Sequence, residues 1–111
     1  MTTNKKQINV SIVIPCYNEA GGVTDSLNEV CKALKKRDDV EIITVNDGSS
    51  DKTPAILDKY ASKNPSVRVI HNESNIGYGA SLKRGIREAE GDVIVITDSD
   101  GTYPASSIPE L

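Results

Sequence analysis

The sequence predicts an α/β fold, a doubly wound parallel sheet with strand order 3-2-1-4, and three observations predict it. Four short runs of aliphatic, β-branched residues recur along the 111 residues without clean polar alternation, as in strands covered on both faces. Between them lie segments whose apolar residues repeat at helical spacing. With no Trp or Phe, the core has to be built from Ile, Val, Leu and Ala. Right-handed crossovers then leave a doubly wound, Rossmann-like sheet as the topology. A chain of this length is one domain at most, burying roughly two-thirds of its unfolded surface.

Ile8 to Ile14 reads as the first strand, ended by Pro15, which cannot donate to a ladder. After Gly21 and Gly22, Val23, Leu27, Val30, Cys31 and Leu34 fall on one helical face. Val40 to Val45 is the second strand. Asn46-Asp47-Gly48-Ser49-Ser50 reads as a turn that supplies an N-cap, with Pro54 in the next helix's first turn. Ile56, Leu57, Tyr60 and Ala61 form that helix's inner face. Val67 to Ile70 is a short third strand. Gly77 opens a third helix packed through Ala80, Leu82, Ile86 and Ala89, with Gly91 as a left-handed C-cap. Val93 to Thr97 is the fourth strand, and another helix is expected to begin beyond Tyr103.

A formal charge of −3 gives no electrostatic reason to expect nucleic acid. Lys32, Lys35, Lys36 and Arg37 fall at a helix C-terminus, where cations complement the dipole. Cys16 and Cys31 read as buried free thiols in a reducing compartment. Residues 1–7 are polar and expected to be disordered or extended, with no hydrophobic region of a signal peptide behind them. No apolar run is long enough to cross a bilayer. The expected location is cytoplasmic.

The topology itself predicts where a ligand sits. In open α/β sheets it binds outside the carboxyl ends of the strands, where strand order reverses. That crevice lies between strands one and four, lined by Pro15-Cys16-Tyr17-Asn18-Glu19 and Asp98-Ser99-Asp100, with Asn46-Asp47-Gly48 next door. Side chains two apart on an extended segment share a side, so Asp98 and Asp100 can aim at one point. Two carboxylates at a strand end suit a divalent cation shared with phosphate oxygens.

Simpler readings exist for each piece. Asp47 precedes Gly48 as in a common turn pair, and Glu19 suits the first turn of a helix. Their convergence on one crevice is what capping alone does not require. An EF-hand loop counted from Asp98 places Tyr103 where glycine belongs and Pro109 where glutamate belongs, so that reading fails. Gly77-Tyr78-Gly79 has Leu82 where a dinucleotide fingerprint needs its third glycine; it reads as a tight loop whose helix N-terminus can face a phosphate. His71 reads as structural or solvent-facing. In a phosphatase of the haloacid dehalogenase type, D-x-D-G-T would make Asp98 nucleophile and Asp100 proton donor. Those enzymes carry that segment at the start of the fold, with a lysine and acidic pair later, and almost nothing follows it here.

Ser11 to Glu19, Val45 to Thr53, Asn75-Ile76-Gly77 and Asp98-Ser99-Asp100-Gly101 together resemble family 2 glycosyltransferases of the GT-A fold, over nearly the whole chain. The ending D-S-D-G-T-Y-P looks most like the branch of dolichol-phosphate mannose synthases and polyprenyl-phosphate glycosyltransferases. The resemblance implies a nucleotide-diphospho-sugar donor (UDP-, GDP- or dTDP-linked). Pro15, Tyr17 and Glu19 would line the nucleoside pocket, and Val45 and Asp47 would contact base or ribose. Asp98 and Ser99 would lie beside ribose and diphosphate, with Asp98 and Asp100 around Mg²⁺ or Mn²⁺.

Full members continue into an acceptor half that holds the general base. No catalytic base is therefore expected within this chain, and one is expected downstream of Leu111. Residues 8–111 would form the donor-binding half-domain, truncated before the acceptor half and inactive alone. Membrane association is expected through a C-terminal part or a lipid acceptor, at the cytoplasmic face, and an open sheet edge is an expected route to a homodimer. The competing expectation is a non-catalytic nucleotide-binding or assembly module completed by a partner chain.

Overall fold

The computed structural model describes residues 7–97. They form β1 (Val10–Cys16), α1 (Val23–Ala33), β2 (Val40–Asp47), α2 (Thr53–Lys63), β3 (Val67–Asn72), α3 (Tyr78–Glu88) and β4 (Val93–Ile96). The sheet is wholly parallel in the order β3-β2-β1-β4, as the sequence predicts. The helix expected beyond Tyr103 lies outside the described residues.

The helices divide between the two faces. α1 and α2 cover one face, where Leu27 and Leu57 are fully buried with Ile12, Ile14 and Ile42. Each such aliphatic side chain contributes about 1.5–3 kcal/mol on burial. α3 covers the opposite face, over Val13, Ile43 and Val45. Alternation along β2 therefore sends Asn46 toward the α2 side and Asp47 toward the α3 side. That division governs everything at the strand ends.

Three sequence expectations need correction. First, β1 starts at Val10 and runs through Pro15 to Cys16. Pro15 pairs with Val45 on the β2 side, so the missing N–H falls on the β4 side. There the Thr97 N–H reaches the Val13 carbonyl at 3.2 Å, and the next rung of a parallel ladder would need a Pro15 N–H. Among the described residues, pairing with β4 runs from Val10 and Val93 to Val13 and Ile96. Second, Asn46 and Asp47 are strand residues rather than a turn, because β2 and β3 remain paired through Asn46–His71 and Asp47–Asn72. The N-cap of α2 is Lys52, which makes no side-chain cap, and the residue before it, Asp51, accepts the Thr53 N–H on Oδ1 at 2.9 Å.

Third, α3 does not pack through Ala80 and Ile86, which are exposed; its buried residues are Ser81 and Gly85, with Leu82 and Ala89 partly covered. Small residues let the helix axis approach the sheet. A Cβ on Gly85 would meet Val13 Cγ1 at 2.5 Å and Val45 Cγ2 at 3.1 Å. Gly91 is likewise required for space and not for a left-handed φ: a Cβ there would lie 2.8 Å from the Ser11 backbone nitrogen. Nearby, Ser11 and the Glu90 N–H both donate to the buried Glu41 carboxylate, at 2.6 and 2.7 Å. Arg68 lies 3.3 Å from its other oxygen. This fastens the α3–β4 corner. Cys16 is a buried free thiol as expected, whereas Cys31 is only half-buried.

Gly85→Ala should lower stability by about 1–2 kcal/mol, because overpacking against β-branched Val13 exceeds the helix propensity gained. Urea midpoints would show it. The loss should shrink in a Val13→Ala background, so a strictly additive double mutant would refute the steric account.

Candidate functional site

The carboxyl ends of β1, β2 and β3 release three loops, spanning residues 17–22, 48–52 and 73–77. They are tied together by backbone N–H groups donating into side chains of the neighbouring loop. Asn18, left-handed at φ 50°, is the centre of the first pair. Its Oδ1 accepts the Ser50 N–H at 2.8 Å and the Asp51 N–H at 3.3 Å. In return, the Asn18 N–H donates to Ser49 Oγ at 3.0 Å. The Glu19 N–H donates to Thr53 Oγ1 (2.9 Å) and the Ala20 N–H to Asp51 Oδ2 (3.2 Å). Asparagine tolerates this left-handed backbone better than most residues.

The second and third loops are joined by Asp47. Its side chain points to the α3 face and is only 4% exposed. Oδ1 accepts from Asn72 Nδ2 (3.1 Å) and the Ile76 N–H (2.8 Å), and Oδ2 from the Gly77 N–H (3.0 Å). Asn72 also donates to Ser81 and accepts from Arg84 Nη1, extending the network into α3. Gly48 then turns at φ +67° against the Ser74–Asn75 backbone, with no room for a Cβ. Desolvation alone would raise the Asp47 pKa, but the Ile76, Asn72 and Gly77 donors outweigh it and hold the carboxyl below its ordinary value.

The predicted site residues are distributed unevenly over this framework. Tyr17, 47% exposed, and half-buried Glu19 stand in the β1 loop. Pro15 and Val45 are paired neighbours beneath the loops, with Val45 wholly within the α3-side core. Asp47 is at the same strand-end edge. Asp98, Ser99 and Asp100 lie outside the described residues, one to three positions beyond buried Thr97. Among the described residues no cluster of His, Cys, Asp or Glu is arranged to hold a metal, and no helix is long and apolar enough to cross a membrane. A hollow of about 430 Å³ between α1 and α2, lined in part by Asn28, Lys59, Tyr60 and Lys63, lies on the flank and not at the strand ends.

Asn18, Ser49, Asp51, Thr53 and Asn72 hold the loops; the sequence places Asn18 at the crevice, but it gives none of the five this bracing role. The one available signal was Asn18 itself, an αL-tolerant residue directly after a buried strand.

A family model, glycosyl transferase family 2, matches residues 11–111. The chain belongs to that family. Dolichyl-phosphate beta-glucosyltransferase ALG5C of Trichomonas vaginalis is 34% identical over 95% of this chain and 33% of its own length. Undecaprenyl-phosphate 4-deoxy-4-formamido-L-arabinose transferase of Pseudomonas fluorescens is 40% identical over 92% of this chain and 31% of its own. Among solved structures, the mannosyltransferase PcManGT from Pyrobaculum calidifontis, in complex with GDP-Man and Mn²⁺, superposes with a TM-score of 0.80 at 28% identity. That match covers 92% of this chain and 30% of that one. The fold is of the GT-A type, and the chain spans about a third of the length of these relatives.

The depressed Asp47 pKa has a consequence for acid stability. Its folded value lies below the unfolded one, so its contribution is complete above about pH 4 and is lost as pH falls through the folded value. Asp47→Asn places an amide NH₂ among N–H donors. It should cost about 2 kcal/mol at neutral pH and flatten the acid limb of stability. Urea midpoints from about pH 7 to about pH 3 measure both effects, and an unchanged acid limb would remove Asp47 as its source.

Proposed function

We propose that this chain is the nucleotide-diphospho-sugar-binding part of a metal-dependent glycosyltransferase whose acceptor is a polyprenyl phosphate. One observation carries the reading: in a family 2 chain, three interlocked loops crown the carboxyl ends of β1, β2 and β3, beside the β1–β4 switch point, and in sequence Asp98-Ser99-Asp100 comes just after β4 and Thr97. The dolichyl- and undecaprenyl-phosphate transferases among the relatives support the lipid acceptor. PcManGT, with GDP-Man and Mn²⁺, supports the donor class and the cation.

Each residue's task follows from its chemistry. Tyr17 offers an exposed ring for a nucleoside to lie against. Glu19 and Asp47 are carboxylates able to accept from base or ribose hydroxyl groups. Asp47 already has both oxygens engaged, so its ligand contact would share a carboxylate fixed by the fold. Pro15 and Val45 form the floor that sets the loops' height. Ser99 and Asp98 are assigned to the ribose and diphosphate, by the family's motif.

Asp98 and Asp100 supply hard oxygen donors of the kind that Mg²⁺ and Mn²⁺ prefer. The residue before them, Thr97, is held to β1 through its N–H on the Val13 carbonyl. When bound, the cation neutralises charge building on the leaving diphosphate. A lipid-phosphate acceptor would bring this chemistry to a membrane surface, on its cytoplasmic face.

Calorimetry with UDP-, GDP- and dTDP-sugars, with and without Mn²⁺, tests the reading. One donor class should bind in a Mn²⁺-dependent manner, and Asp100→Ala should weaken it at least about tenfold. Binding indifferent to both metal and substitution would mark the chain as a scaffold instead.

A further inference from the structure

The α2 side of the strand ends carries a second polar chain that none of the tasks above uses. His71, the one histidine of the 111 residues, is the β3 partner of Asn46. Its Nε2 lies 2.8 Å from Asp58 Oδ1 on α2, and its Nδ1 lies 2.9 Å from Asn46 Nδ2. Asn46 is buried, and its Oδ1 accepts the Ser49 N–H at 3.0 Å. Ser49 in turn receives the Asn18 N–H on its hydroxyl oxygen. A single file of hydrogen bonds thus runs from the surface of α2 through His71 and Asn46 into the β1 and β2 loops.

The direction of each bond is fixed by chemistry. A backbone N–H can only donate, so the Asn46 oxygen must face Ser49 and the Asn46 amide NH₂ must face His71. The imidazole can then meet Asn46 only through a bare Nδ1, which leaves the proton on Nε2, toward Asp58. Protonating the ring puts a second N–H against the Asn46 NH₂. Turning the amide over relieves that clash and creates another one at the Ser49 N–H. Asp58 accepts from Nε2 in both charge states, so the conflict falls wholly on Asn46. The other charged contact is Arg84 on α3, which donates to the His71 carbonyl oxygen at 3.2 Å and keeps that bond in either state.

We propose that His71 is a positioning residue of the donor site, a protonation-sensitive latch that holds the β2 loop against the β1 loop through Asn46 and Ser49. The inference rests on the reading of this edge as a nucleotide-sugar site. With His71 neutral the latch is closed. When the imidazole gains a proton, the Asn46–Ser49 bond opens and donor affinity falls.

Two measurements on the isotope-labelled 111-residue chain test this and separate it from the donor reading. In a ligand-free NMR titration, the Ser49 amide and the Asn46 side-chain NH₂ should shift with the same midpoint as the His71 ring, whose neutral form should carry its proton on Nε2. In calorimetry with GDP-mannose and UDP-glucose plus Mn²⁺, the wild-type chain should bind about fivefold more weakly at about pH 5.5 than at pH 7.5, the worth of one lost neutral hydrogen bond. His71→Asn places an oxygen where Nδ1 stood and cannot be protonated; it should bind as the wild type does at the higher pH and lose the pH dependence. Ser49 and Asn46 signals that ignore the His71 titration overturn the latch whether or not a nucleotide binds. So does a pH dependence that survives His71→Asn. Coupled signals without nucleotide binding at either pH would keep the loop connection and overturn the donor-site reading.

Discussion

A carboxylate taken out of water has to be met by donors, and Asp47 meets its donors in the backbone of a different loop. Its hydrogen bonds come from the Ile76 and Gly77 N–H groups and from the Asn72 and Ser81 side chains. That requirement brings the β3–α3 loop down onto the end of β2, so that Gly48 passes close against Ser74 and Asn75. On its other side the β2 loop is held to β1 by Asn18, Asp51 and Thr53. The edge is therefore a joined surface made of polar side chains that the strands carry outward. Sheet alternation decides which loop each of them can reach.

The architecture was readable because four unalternating aliphatic runs separated by amphipathic helices need a parallel sheet covered on both faces, and right-handed crossovers narrow its strand order. The errors share a cause. Ala80 and Ile86 look like an inner face, yet Ser81 and Gly85 occupy it, because how closely a helix approaches depends on the Val13 and Val45 side chains beneath it. Periodicity reports which residues are apolar, and it is silent on how close the backbone must come. Gly91 follows the same logic: a glycine required by Ser11 resembles, in sequence, one required by φ.

The site was legible in part for a related reason. Tyr17, Glu19 and Asp47 could be placed at one edge from strand order alone. The bonds that hold them could not, since Asn18, Ser49, Asp51 and Thr53 make them across 31 to 34 residues of sequence. His71 was read as structural or solvent-facing, and its ring does bridge Asn46 and Asp58. What single residues could not reveal was the direction of those bonds, which emerges only when the whole file of donors and acceptors is laid out.

Pro15 has an effect reaching beyond its own position. Hydrogen-bonded strands close on one another like the teeth of a zip, and each rung makes the next one cheap. At Pro15 one tooth is missing on the side toward β4. At that level β1 has no N–H to offer its edge neighbour, a gap in the ladder imposed by the proline ring and owing nothing to any ligand.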